Sequence, residues 1–287
     1  MNYEAITTFL DLMETRSFNR TAERLGLTQS TVSARIAALE TGLNAKLFTR
    51  SRSGTMPTSA GVKFSDYAET MNREWNAAKR ATQISANNTS AMRIGIQTDL
   101  AANHIGEWVS QIRREFPEAA LNIELDYSNQ MCRDILSGDM DCAILFTPRQ
   151  ALDLYFEEIG ATEYCLVSSY CTSVAGLKSG QFHNANYAPM FARAQREALP
   201  EGLVGPVTIG QNIAVCGLLQ TLGGAAYVMA ESAVELTATG KFAFVSGAPK
   251  IEQPVYFCTH IRNRPARLQR RIAALAKQRF RTAEITT

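Results

Sequence analysis

Phe18-Asn19-Arg20-Thr21-Ala22-Glu23-Arg24-Leu25-Gly26-Leu27-Thr28-Gln29-Ser30-Thr31-Val32-Ser33-Ala34-Arg35-Ile36-Ala37-Ala38-Leu39-Glu40 has the spacing of two helices crossing at a tight turn, a helix-turn-helix of the kind that enters the DNA major groove. Ala22 is small where two backbones must approach. Gly26 accepts the positive φ of the turn, and Val32 and Ile36 fill the angle behind it. Ser17 and Thr28 stand where helix N-caps belong, so side-chain chemistry as well as periodicity marks the boundaries. An ordinary helical hairpin inside a larger all-helical core is the competing reading, and the flanking segments weigh against it.

Upstream, Tyr3 to Thr15 carries Ile6, Phe9, Leu10 and Met13 at helical spacing and reads as a helix bracing the pair. Downstream, Lys46 to Pro57 is rich in Arg, Ser, Thr and Gly around Phe48 and reads as a short β-wing. Its charges from Lys46 through Arg50 and Arg52 to Lys63 include no carboxylate, which suits phosphate. Ser59 is expected to cap a long helix ending near Gln83 to Ala86, about 28 residues and roughly 40 Å. Val62, Tyr67, Met71, Trp75 and Ala78 would form its apolar stripe. A small domain offers such a stripe few partners, so pairing with a second copy of the chain is expected. Ser85 to Ser90 reads as a polar hinge.

If Val32, Ile36 and Leu39 are the buried side of the second helix, Ser30, Ser33, Ala34 and Ala37 lie opposite. Gln29 stands near the helix start, where a carboxamide can pair with adenine. The expected DNA contacts are Gln29, Ser30, Thr31, Ser33 and Arg35, with Arg50 and Arg52 of the wing on phosphate or in the minor groove. Double-stranded promoter or operator DNA is the expected partner.

Ala22, Leu25, the Leu27-Thr28-Gln29-Ser30 run, Val32-Ser33, Leu39-Glu40, Leu47-Phe48-Thr49-Arg50 and Thr58-Ser59-Ala60-Gly61 together resemble the LysR-type transcriptional regulators. The likeness is densest over residues 1 to 65 and continues through nearly the whole chain. Relatives often carry Arg where this chain has Ala34. That departure removes a guanine contact and shifts the burden of specificity onto Gln29, its neighbours and DNA shape.

From Arg93 onward short apolar strands alternate with helices: 94–96, 121–125 and 142–146 around helices 103–116 and 131–136, then 164–167, 207–209, 225–228 and 242–245, with 255–259 returning the chain. The pattern is α/β. The expected fold is an N-terminal all-α winged helix-turn-helix with a long linker helix, followed by two Rossmann-like lobes resembling periplasmic solute-binding proteins. Expected boundaries are 1–58 for the DNA-binding domain, 59–90 for linker and hinge, and 91–287 for the effector domain. Lobe I takes 91–161 and 262–287, and lobe II takes 162–261.

The resemblance implies an effector in the crevice between lobes, near Gln97, Thr98, Ser128, Asn129, Phe146, Thr147, Gly210, Gln211 and Asn212. Helix starts there favour an anion. Asp99 opposes one, and is expected to be a cap more than a ligand contact, so a small polar, zwitterionic or anionic effector is expected. The resemblance also implies a homodimer through the linker helix and a homotetramer on bent DNA, with RNA polymerase a further candidate partner.

The chain has 287 residues, 46% hydrophobic and 20% charged, with a net charge of +2. No apolar run approaches the roughly twenty residues of a membrane helix, and Met1 to Ala5 has no export signal, so a cytoplasmic protein is expected. Arg262 to Arg281 reads as an amphipathic terminal helix with a solvated basic face. Six cysteines without a CxxC pair read as reduced thiols, with Cys165 and Cys171 the candidate redox pair. His104, His183 and His260 lack metal-ligand spacing, and no GxSxG, P-loop or GxGxxG is present, so neither enzyme, metal nor cofactor is expected. The alternatives are an architectural DNA binder without a working effector site and, in another class, a solute-binding protein.

Overall fold

Local side-chain chemistry fixes the first turns of the chain. In the computed structural model, which describes residues 3–51, 54–83 and 91–282, α1 (Tyr3–Thr15), α2 (Phe18–Leu25) and α3 (Gln29–Leu43) precede a hairpin of β1 (Phe48–Ser51) and β2 (Gly54–Pro57). Ser17 Oγ accepts the Arg20 N–H at 3.4 Å, and Thr28 Oγ1 accepts that of Thr31 at 3.2 Å, the caps expected for α2 and α3. Gly26 takes φ 64° and returns its N–H to the last carbonyls of α2. Phe9, Leu12, Val32, Ile36, Leu39 and Leu47 fill the core between them.

The long helix α4 (Ser59–Gln83) departs from expectation in two ways. Its cap is Thr58, not Ser59: Thr58 Oγ1 accepts the Gly61 N–H at 3.0 Å and donates to the Lys46 carbonyl at 2.6 Å, tying the helix to the wing. At Gly61 a Cβ would stand 2.2 Å from the Leu47 carbonyl oxygen, so only glycine lets α4 approach. Its stripe also omits Val62, which lies five residues before Tyr67 and therefore about 140° round the helix. Gly61, Ala68, Asn72 and Asn76 face the head, while Tyr67 and Trp75 are 70% and 48% exposed. The tyrosine hydroxyl of Tyr3 donates to Asn72 Oδ1 at 2.7 Å. The expected hinge at 85–90 lies outside the described residues.

The chain divides into two compact units, residues 1–88 with 136–139, and residues 89–135 with 140–287. The second contains β3 (Ala91–Gln97), α5 (Thr98–Glu115), β4 (Ala120–Asp126), all but the last two residues of α6 (Ser128–Ser137), β5 (Cys142–Leu145) and β6 (Leu154–Ser168). Then come β7 (His183–Ala185), α7 (Pro189–Ala198), β8 (Val207–Ile209), α8 (Asn212–Leu222), β9 (Ala225–Met229) and α9 (Ala230–Ala238). The last elements are β10 (Ala243–Phe244), β11 (Ile251–His260) and α10 (Arg267–Thr282).

Strands run β10-β6-β11-β5-β3-β4, with β9 also on β6 and a separate parallel pair β7-β8. Parallel β4-β3-β5, backed by α5 and α10, forms lobe I; β9, α7, α8 and α9 build lobe II. Antiparallel β6 and β11 cross between them, with a register shift at Val255/Tyr256.

Two sequence boundaries move. The strand expected at 164–167 begins at Leu154, because Glu157 and Glu158 obscure its alternation. Tyr256–Thr259 already pair with β5, so the chain rejoins lobe I within β11, ahead of residue 262. Ile272, Ala273, Leu275 and Ala276 bury the apolar face of α10 as its periodicity predicts. In lobe II, Tyr164 stacks on Tyr187 at 4.6 Å between centroids, with Phe191 tilted against both.

Candidate functional site

The capped start of α3 presents Gln29 and Ser30 to solvent, with Thr31 and Ser33 half-buried beside them and Ala34 and Ala37 exposed one turn further. Thr28 Oγ1 lies 2.8 Å from both the Ser30 and the Thr31 hydroxyls, which orders this edge before anything binds. Arg35 does not join it. Its guanidinium pairs with Glu4 and donates to Thr8 Oγ1 at 3.3 Å, because position 35 turns toward α1; it braces the bundle. Arg50 lies in β1 with its backbone opposite Thr55. Its side chain, and the whole of Arg52, fall outside the described residues.

The residue that sequence reasoning missed here is Glu40, at the buried end of α3. Its Oε1 accepts the N–H of Leu47 at 2.8 Å and of Phe48 at 3.3 Å, and Oε2 pairs with Lys46 at 2.7 Å. Burial pushes this carboxyl up, yet Lys46 and the two amides together hold it below its ordinary value. Lys46, expected on phosphate, thus also pairs at the wing root, while its side chain stays 79% exposed.

In the second unit the strand ends of lobe I bring four expected residues together. Ser128 Oγ donates to Gln97 Oε1 at 3.1 Å and accepts the N–H groups of Phe146 at 3.3 Å and Thr147 at 3.1 Å. Gln97, Ser128 and Phe146 are buried, Thr98 and Thr147 are half-buried, and Asn129 is exposed. From lobe II, Gln211 Nε2 donates to the Tyr127 hydroxyl at 3.3 Å, beside Gly210.

Asn212 is placed differently from expectation. Its side chain donates to Ser232 Oγ at 2.9 Å and accepts the Met229 N–H at 2.8 Å, so it is spent inside lobe II. Its backbone N–H, the first of α8, goes to Asp99 Oδ1 at 2.7 Å. Asp99 is indeed a cap, but of the other lobe's helix: α8 has no side-chain cap of its own. Desolvation outweighs that one donated hydrogen bond and pushes the Asp99 carboxyl up to about 6.

Among the described residues no helix is long and apolar enough to cross a membrane, and no group of three or more His, Cys, Asp or Glu is arranged to hold a metal. All six cysteines are free, and the Cys171 thiol reaches Ser168 Oγ at 3.4 Å.

Residues 3–62 match the model described as bacterial regulatory helix-turn-helix protein, lysR family, and residues 85–176 match the LysR substrate binding domain. The HTH-type transcriptional regulator HdfR of Yersinia pestis (strain Pestoides F) is 33% identical over 170 residues, which cover 59% of this chain and 58% of that protein. The match thus spans little more than half the length of this curated relative. A full-length cysteine variant of OxyR from Pseudomonas aeruginosa superposes with a TM-score of 0.58 at 19% identity, covering 98% of this chain and 95% of that one. ArgP from Mycobacterium tuberculosis does so at 0.55 and 20%, covering 95% and 96%. These likenesses carry the same two-part fold. With a helix-turn-helix module at its head and a substrate-binding module behind it, both of one lineage, the chain belongs to the LysR-type regulator family.

Proposed function

We propose that this protein is a sequence-specific, double-stranded-DNA-binding transcriptional regulator whose activity is set by a small-molecule effector held between the two α/β lobes. The observation that carries this reading is the ordered edge of α3, where Gln29 and Ser30 stand exposed over a rigid three-helix core. Gln29, Ser30 and Ser33 would read bases, and Arg50 and Arg52 would hold phosphate or the minor groove. Arg35 positions α3 and does not read bases itself. The exposed Tyr67 and Trp75 on α4 support a homodimer through that helix. A tetramer, contact with RNA polymerase and a cytoplasmic location extend the reading by kinship with the family. The role is regulatory and non-enzymatic.

Genome-wide footprinting tests it. Discrete promoter sites are expected, and at those sites Gln29→Ala should change base preference at one position by about 1–3 kcal/mol. Arg50→Ala should weaken all sites alike and lower the salt slope by about one. Binding no tighter to any promoter than to random duplex would overturn the reading.

A further inference from the structure

The crevice between lobes holds more hydrogen-bond acceptor than the described residues use. Asp99, in the first turn of α5, is 3% exposed; its Oδ1 takes the Asn212 N–H, while its Oδ2 is buried with no partner among the described residues. Gln253, on the crossing strand β11, donates through Nε2 to the carbonyls of Phe146 at 3.3 Å and Pro254 at 3.1 Å, and its Oε1 is buried and likewise unpartnered among them. Tyr164, on the other crossing strand, has a fully buried hydroxyl in the same condition.

These groups belong to one place. Gln253 pairs with Thr162 and Ile251 pairs with Tyr164, so Gln253 and Tyr164 stand on the same face of the sheet as diagonal neighbours. Asp99 reaches the same strands through Asn212: its Oδ1 accepts the Asn212 N–H, the Asn212 side chain accepts the Met229 N–H, and Met229 pairs with Tyr164 across β9 and β6. Buried polar atoms almost always find partners. Three orphans around one interlobe seam, two of them acceptors only, mark a local deficit of donors among the described residues.

The seam also disfavours an anion. A helix start such as that of α8 ordinarily attracts a carboxylate or phosphate, but here the chain's own Asp99 already occupies it. A second negative group would meet both Asp99 and the nearby Glu231, whose charge also reaches Tyr164.

We propose that the cleft recognises its effector through a positively charged nitrogen, an ammonium or amidinium group, seated on Asp99 Oδ2 with the Tyr164 hydroxyl and Gln253 Oε1 as further partners, and that it rejects small molecules whose only charged groups are carboxylates. The inference rests on the reading of this cleft as the effector site. It also supplies a transmission step: a cation seated on Oδ2 shares the carboxylate whose Oδ1 holds the Asn212 N–H, so binding is felt directly in the bond joining the lobes.

The test uses the full chain and three probes of equal carbon number, 1,4-diaminobutane, 4-aminobutanoate and butanedioate, each titrated at pH 8 by calorimetry and by thermal unfolding. Both amines are expected to bind and to raise the unfolding midpoint, and butanedioate to do neither. Asp99→Asn, which keeps an oxygen for the Asn212 N–H, should weaken the amines at least about tenfold. Tyr164→Phe removes only the orphan hydroxyl and should weaken them severalfold, a second readout should Asp99→Asn fold poorly. Absence of amine binding, butanedioate binding as tight as the amines, or undiminished amine binding to Asp99→Asn overturns the proposal. Promoter binding is read on the same protein without probe. If it is intact while the amines fail, the cleft chemistry alone falls; if it is lost while the amines bind, the regulator reading falls and the cleft chemistry stands.

Discussion

Two buried carboxylates divide the molecule's labour. Glu40 in the head is saturated: two backbone amides and Lys46 surround it, and it is held below its ordinary pKa. Asp99 in the effector unit is starved: one amide, one oxygen orphaned among the described residues, and a carboxyl pushed up to about 6. A satisfied buried charge is a rivet; an unsatisfied one is a standing cost that a ligand can relieve. The head's carboxylate has its partners in place, and the cleft's carboxylate keeps one oxygen without a partner among the described residues.

The contrast breaks first at Glu40. Glu40→Ala leaves the Leu47 and Phe48 amides buried without acceptors and should cost the head about 3 kcal/mol, read as a fall in the head's denaturant midpoint. Asp99→Asn should have the opposite sign, stabilising the effector unit at pH 7 by up to about 3 kcal/mol, since its carboxyl is raised from 3.8 to about 6 and each unit is worth about 1.4 kcal/mol.

The pH profiles should diverge as well. Glu40, with its lowered pKa, contributes stability that is present above the unfolded carboxylate value near 4 and is lost as pH falls below it. Asp99, with its raised pKa, does the reverse: its contribution is complete below about 4 and lost as pH rises through about 6. Calorimetry from pH 4 to 8 should therefore show the gap between Asp99→Asn and wild type opening as pH rises. A constant gap would mean that Asp99 does not titrate there. Burial, the Asn212 amide, and the Tyr164, Tyr187 and Cys216 groups its charge reaches are the surroundings that set this behaviour.

Smaller changes sharpen the comparison. Thr28→Ala should cost about 1 kcal/mol by uncapping α3, and it should loosen DNA binding through the Gln29–Ser30 edge. Tyr127→Phe removes only the exposed bond to Gln211 and should cost about 0.5 kcal/mol, with a measurable effect on ligand affinity but little on the unfolding midpoint.

The head is legible in the sequence because its determinants are local. Ser17, Gly26 and Thr28 act within a few residues of themselves, and a cap or a left-handed turn leaves a mark at fixed spacing. Even there, the role of Glu40 and the turning of Arg35 toward Glu4 need the third dimension. The α4 stripe misplaces Val62 because apolar identity outweighs angular position in such a reading.

The cleft is legible only as a neighbourhood. Gln97, Ser128, Phe146 and Thr147 do meet, since strand ends in a parallel sheet must. Asp99 and Asn212 stand 113 residues apart in sequence, and no periodicity joins a carboxylate in one lobe to a helix start in the other. Gln253 and Tyr164 are likewise invisible, because their significance lies in register across two crossing strands and in what their polar atoms fail to find.

Gly61 carries a mechanical consequence. With the first turn of α4 pressed onto the Leu47 carbonyl and pinned by Thr58, helix and wing root move as one lever arm. If two copies join along α4, the distance between their wings is a property of the joint, and a change in that distance would come from sliding one lever along the other rather than from flexing either.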